Sequence, residues 1–335
     1  MHDHGWVDWE AGWERALYGV AEIDGVDGFY RRPEGPAGHF RTAAHAAGAE
    51  LGTALARLAA EHGCGSIVDV GAGRGELLTA LAGNGRGGGG RGGGGAGGGG
   101  AGGGGVGGAA GGAGLRLHGV DVVPRPPGLP ETVGWSQGLA QLPDDALAGA
   151  LVIGWELLDV VPMPILELDA DKVPRRVLVE PGTGRERLGD PAGPAELDWV
   201  RRWWPIEAAA EEGDRIEVGA PRDRLWAALV ARSAAAGGRA LLAVDYAHQR
   251  TGRPGLGSLT GFRSGHAVPP RPDGSMDLTA HVAIDAVAAA GQAAGATTSW
   301  LTEQHVALRA LGVDNAELLD RGGLGGFGWL FQPLT

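Results

Sequence analysis

Three glycines at alternate positions, Gly71, Gly73 and Gly75, follow the apolar run Ile67-Val68-Asp69-Val70 and precede Glu76-Leu77-Leu78. This order predicts a buried strand, a glycine turn and a helix. Glycines let a backbone approach a ligand with no Cβ in the way, and the free N–H groups of a helix N-terminus favour anionic groups. The turn is therefore a candidate nucleotide-cofactor site, with Asp69 on its strand. A dinucleotide fingerprint would place its third glycine where Glu76 stands, so the spacing favours S-adenosylmethionine over a nicotinamide cofactor.

Further carboxylates stand where such a site needs them. Asp121 closes the run Leu115–Val123, and without the glycine-rich stretch before it, it falls about 20 residues after the turn, the place of an acid that accepts from ribose hydroxyls. Gly138 and Leu139 follow a short strand, Thr132–Ser136, and offer an apolar surface for an adenine ring. Glu156 and Asp159 follow the strand Ala150–Trp155, at the edge where open α/β sheets bind ligands. Asp245 ends a further strand, Arg239–Asp245. His281 lies in a stretch, Asp277–Val282, read as opening a helix capped by Asp277 or Thr279.

The elements that must position these residues divide the chain. Residues 1–63 read as a helical cap in which Trp6, Trp9 and Trp13 share one face, and a Pro/Gly-rich approach leads to Phe40-Arg41-Thr42, a loop able to fold over the cofactor. Residues 64–160 and 237–335 read as a Rossmann-like core. Its stretch 83–114, in which 23 of 32 residues are glycine, reads as a disordered insertion, because so little side chain cannot offset the entropy of ordering it. Residues 161–236 read as a substrate-side insertion that opens with a hairpin, Ile165–Leu168 with Arg176–Glu180, and continues into a helix bearing Trp199, Trp203 and Trp204. The excursion 249–276 reads as lacking secondary structure, and Thr297–Thr302 and Gly328–Gln332 as two closing strands.

Composition narrows the partners. A net charge of −12 disfavours nucleic acid and anionic membranes. One cysteine, Cys64, excludes an internal disulfide framework and a cysteine-based zinc site, and no metal site is expected. The N-terminus lacks the pattern of a signal peptide, and no apolar run reaches the ~18–20 residues that span a bilayer, so the expected location is the cytoplasm. The sequence leaves a homodimer open.

Taken together, GFYRRPEGPAGHFRTA, VDVGAGRGELL, WELLDVVP, DYAHQR, GSLTGF, PDGSMDLTAHV and GLGGFGWL resemble the MidA-type S-adenosylmethionine-dependent methyltransferases, a family that includes a mitochondrial arginine methyltransferase of complex I assembly. The resemblance implies an α/β class I methyltransferase fold, a seven-stranded Rossmann-like sheet with an N-terminal cap and a substrate-side insertion. It implies that Gly71, Gly73 and Gly75 hold S-adenosyl-L-methionine, that Phe40, Arg41 and Thr42 close on it, and that Glu156 and Asp159 form the post-strand acidic motif. One departure stands out: Trp155 occupies a position where that family carries asparagine, and a polar contact is lost there.

The expected reaction is methyl transfer to a nitrogen of a protein arginine. Glu156 and Asp159 would pair with the guanidinium, and His281 or Asp245 would accept the released proton. The alternatives are a non-catalytic cofactor-binding assembly factor or chaperone and a small-molecule methyltransferase. A dehydrogenase ranks last because of Glu76.

Overall fold

The computed structural model describes residues 5–32, 43–84, 114–206 and 210–334. The proposed closing loop, Phe40, Arg41 and Thr42, lies outside the described residues, as does most of the glycine-rich stretch.

Seven strands form the central sheet. In chain order they are β1 (Ser66–Val70), β2 (Arg116–Asp121), β3 (Val133–Gln137), β4 (Ala150–Trp155), β5 (Ala240–Asp245), β6 (Trp300–Glu303) and β7 (Gly328–Pro333). Across the sheet they run β3-β2-β1-β4-β5-β7-β6. All neighbours are parallel except where β7 enters antiparallel between β5 and β6. The order reverses between β1 and β4, so their carboxyl ends diverge and leave a crevice at the switch point.

Both faces of the sheet are covered, which is why β1 and β5 read as nearly unbroken apolar runs and every residue of both is buried. On one face, Leu51, Leu55 and Leu58 of the helix Ala43–Glu61 pack with Leu77, Leu78 and Leu81 of Glu76–Asn84 against Ile67, Ile153 and Leu242. On the other, Trp226, Leu229 and Val230 of Ala220–Ala235 pack with Ile284 and Val287 of Ile284–Ala293 against Val68, Val152 and Leu241.

A second, antiparallel sheet stands beyond the carboxyl ends of the core strands. The segment Ile165–Leu168 pairs with Pro174–Glu180 as expected of the hairpin, and Val7–Asp8, Arg185–Pro191 and Arg215–Glu217 extend it. The helix Trp9–Tyr18 lies on this sheet. Its Trp9 and Trp13 are buried among Val177, Val179 and Leu278, whereas Trp6 precedes the helix and lies beneath the Arg187 guanidinium.

Two readings of the C-terminal half are corrected. Asp277–Thr279 is a strand paired with Thr260–Arg263, and the helix begins only at Ile284. Asp277 and Thr279 therefore cap nothing, and Asp277 instead turns a buried carboxyl inward. The excursion 249–276 holds two short strands, Thr260–Arg263 and His266–Val268, whose mixed composition gave no clear alternation.

Candidate functional site

At the carboxyl end of β1 the chain turns through Gly71, Gly73 and Gly75, at φ of 78°, 56° and 77°. The turn is pinned from the neighbouring strand: Gly71 and Ala72 N–H donate to the Val120 carbonyl at 2.9 and 3.1 Å, and Gly73 N–H donates to Asp121 Oδ2 at 2.8 Å. The outer two glycines answer to packing, because a Cβ at Gly71 would lie 3.0 Å from Leu157 and one at Gly75 only 2.6 Å from Leu129. At Gly73 the nearest atom would be 3.7 Å away. Its missing side chain leaves room for a ligand.

The turn forms one wall of a cavity of about 930 Å³. Asp69, Gly71, Gly73, Asp121, Gly138, Leu139, Glu156 and Asp159 all lie on its wall. Gly75, Asp245 and His281 do not. Asp121 Oδ1 accepts from Val123 N–H at 3.2 Å, and burial raises its carboxyl's pKa against the pull of these backbone bonds. Asp69 is only 3% exposed, and burial, followed by the charges of Asp121 and Glu76, pushes its carboxyl up to about 7.

Gly138, at φ 87°, likewise has open space where a Cβ would stand. Trp155 edges onto Trp329 with ring centroids 5.9 Å apart, and its buried Nε1 has no partner among the described residues. Bare backbone at Gly73 and Gly138, an orphan donor at Trp155 and buried acids on two walls fit a ligand that combines a nucleoside with an amino acid.

At the opposite end, β4 passes into Glu156, a non-glycine residue at φ 52° whose N–H donates to the Val244 carbonyl at 2.8 Å. Left-handed backbone at an L-residue is strained, and such strain gathers at functional sites. Beyond it stand three buried carboxyls, Asp159, Asp245 and Asp277, at 3%, 0% and 1% exposure. None of the ion pairs among the described residues includes any of them.

Asp245 Oδ2 accepts from Leu158 N–H at 2.8 Å, while its Oδ1 and Asp159 Oδ1 are buried with no other partner. One proton shared between them would satisfy that pair, because two neighbouring buried carboxyls resist ionising together. Burial and the Asp159 charge hold the Asp245 carboxyl well above the usual range, whereas burial of Asp159 is opposed by the Arg222 charge and by its hydrogen bond with Asp245, which leaves it at about 6.

Asp277, pushed by burial and then by Asp159 to about 7, accepts from Tyr30 Oη at 2.9 Å. Tyr30 stacks on Tyr18 at 5.6 Å, and Tyr18 Oη donates to the Val160 carbonyl at 3.1 Å. Both rings, with Asp159, Asp277 and Thr279, line this end of the cavity. His281 sits outside it, stacked on Tyr246 at 5.7 Å.

Sequence reasoning missed Tyr18, Tyr30 and the role of Asp277. The two tyrosines lie in segments read as a cap, and Asp277 sits in a strand read as a helix start. A signal was present in the buried-type spacing of Trp13-Leu17 beside Tyr18, which places that tyrosine at the rim of an apolar face.

The sequence profile of the family described as "Putative S-adenosyl-L-methionine-dependent methyltransferase" matches residues 115–302. Among solved structures, the chain is similar to a COG1565 superfamily protein from Burkholderia thailandensis crystallised with S-adenosyl-homocysteine, at 22% identity and a TM-score of 0.69, covering 98% of this chain and 88% of that one. A native structure of a COG1565 superfamily protein from the same organism gives 23% identity, the same TM-score, and 98% and 87% coverage. These likenesses show the class I methyltransferase fold. A search of curated protein sequences returns no match.

Proposed function

The chain belongs to the S-adenosyl-L-methionine-dependent methyltransferase family, and from that premise we propose that its acceptor is a cationic nitrogen, the guanidinium of a protein arginine, as in the MidA-type enzymes it resembles. The observation that carries the proposal is the carboxyl cluster. Asp159 and Asp277 face the cavity from its acceptor end with no ion-pair partner among the described residues, and two stacked tyrosines flank them. Buried carboxylates that make no ion pair stay expensive unless a cation arrives to meet them. A guanidinium supplies that charge, with a planar fork that suits carboxylates and a face that suits aromatic rings.

S-adenosyl-L-methionine, when bound, supplies an activated methyl group on a sulfonium sulfur. The glycine turn and Asp121 would hold its nucleoside, and Gly138 and Leu139 would border the adenine. The chain's remaining task is alignment. Methyl transfer gains most from fixed geometry in a dry pocket, and Glu156, held in a strained backbone directly after β4, lines that pocket.

A guanidinium that gains a methyl group must release a proton. Asp159 is placed to take it, backed by the neighbouring Asp245 carboxyl. This reassigns the acceptor role, since neither Asp245 nor His281 reaches the cavity wall.

The test is transfer of a tritiated methyl group from the cofactor to lysate protein, followed by mass spectrometry of the labelled residue. Label on arginine is the expected outcome. Label confined to the low-molecular-weight fraction, or no label despite cofactor binding, would overturn the reading.

A further inference from the structure

Arg222 is the most deeply buried cation among the described residues, at 1% exposure, yet it pairs with no carboxylate. It occupies the first turn of the helix Ala220–Ala235, where a positive charge opposes the helix dipole. Burying a guanidinium is costly, and apolar replacements at such sites are often neutral or stabilising. Stability alone does not explain it.

Its hydrogen bonds show what it does instead. Nε donates to the Val161 carbonyl at 3.1 Å and Nη2 to the Asp159 carbonyl at 2.7 Å. Nη1 donates to the Ala280 and His281 carbonyls, both at 2.9 Å. One planar group thus ties the loop that follows β4 to the loop that precedes the helix Ile284–Ala293. That second loop and the strand Asp277–Thr279 before it are held from two other sides. Trp13, whose ring centroid lies 5.7 Å from the Arg222 guanidinium, donates to the Leu278 carbonyl at 3.1 Å. The His281 N–H donates to Ser258 Oγ at 2.8 Å, and Ser258 is itself fixed by Glu217. Asp159 lies on the first of these loops and Asp277 on the strand Asp277–Thr279 that leads into the second; these are the two carboxyls that face the acceptor.

We propose that Arg222 is a positioning residue for the methyl acceptor, an assignment that rests on the cationic-acceptor reading above: its guanidinium locks Asp159 and Asp277 in one relative geometry and sets a fixed positive charge behind them. The charged groups around it come from every neighbouring element: Asp159 after β4, Asp245 on β5, Glu217 on the accessory sheet, Asp223 on its own helix, and His248 and His281 beyond β5. Glu217 is engaged by Ser258 and Leu259, and Asp223 by Trp199 Nε1. The carboxyls left for its charge to govern are Asp159 and Asp245, and through Asp159 also Asp277. Their ionisation decides whether an incoming guanidinium meets an anion.

Two variants of the full chain separate geometry from charge. Arg222→Lys keeps the charge and loses the four-carbonyl brace; Arg222→Met loses both. Both should bind S-adenosyl-homocysteine within about threefold of wild type by calorimetry, because the cofactor end is untouched. Both should lose at least tenfold in the rate of methyl incorporation into arginine at saturating cofactor. Only Arg222→Met should also move the acid limb of the pH–rate profile upward, by about one pH unit, the low end of what an adjacent opposite charge does to a carboxyl. A purely structural arginine would lower the rate with no such movement, and an unmoved limb in Arg222→Met overturns the proposal.

If Arg222→Met does not fold, Arg222→Lys decides alone, and a wild-type rate in it overturns the proposal. Carbon-detected NMR titration of the aspartate carboxyls needs no acceptor. If wild type labels no arginine, the function reading fails, while unchanged Asp159 titration in Arg222→Met would separately remove the assignment of Arg222.

Discussion

Asp277→Asn sets function against stability in a way the wild-type structure makes quantitative. The amide oxygen can still accept from Tyr30 Oη, so shape and hydrogen bond survive and only the charge is lost. Asp277 titrates near 3.8 in the unfolded chain and at about 7 in the fold. A folded-state carboxyl with a raised pKa binds protons more tightly than the unfolded chain does, so stability falls as pH rises from the unfolded pKa to the folded one. The penalty is absent below about pH 4 and complete above about pH 7. Three pH units at about 1.4 kcal/mol each make it about 4 kcal/mol.

Urea unfolding should therefore find Asp277→Asn more stable than wild type by several kcal/mol at pH 8, by less than half as much at pH 5, and little different at pH 4. Methyl transfer to arginine should meanwhile fall at least tenfold at pH 8. A variant with no stability gain at pH 8, or a gain independent of pH, would refute the buried-charge argument. A gain in stability with full activity would leave the charge without a use.

Wild-type methyl transfer should rise between pH 6 and pH 7, as Asp159 and then Asp277 lose their protons, and a pH–rate profile at saturating cofactor checks this. Asp121→Asn should weaken S-adenosyl-homocysteine binding at least tenfold by calorimetry, since hydrogen bonds to a charged acceptor are worth about 1.5–3 kcal/mol. Gly73→Ala should cost about 1–2 kcal/mol of stability through its left-handed backbone, and lower cofactor affinity besides because the added methyl enters the cavity. Gly71→Ala carries the same backbone penalty plus contact with Leu157, so thermal denaturation should show it as the less stable of the two.

The cofactor half of the site was legible because it is local. The strand, the turn and the helix that build it are consecutive, and Asp121 meets Gly73 through the register of adjacent parallel strands, which follows from strand order. The central strands announced themselves as apolar runs because both faces of the sheet are covered. The acceptor half resisted because no local pattern encodes it. Tyr30 reaches Asp277 across 247 residues, and Arg222 reaches Asp159 across 63. Asp277 or Thr279 reads as a helix cap because Asp and Thr favour the position just before a helix; pairing with Thr260–Arg263 wins over that propensity.

The two halves also differ in how far the chain alone satisfies them. At the glycine turn, Asp121 has a backbone donor on each oxygen, so this wall is organised before any ligand arrives. At the acceptor end, the buried Arg222 guanidinium donates to main-chain carbonyls, and Asp159 Oδ1 is buried with no hydrogen-bond donor among the described residues. A chain selected for stability alone would neutralise that cluster with an apolar residue or a direct ion pair. Under the cationic-acceptor proposal, keeping it destabilised above neutral pH makes sense because a cation from outside would complete it, and the acceptor's positive charge, rather than its size, would be the property this end of the cavity selects.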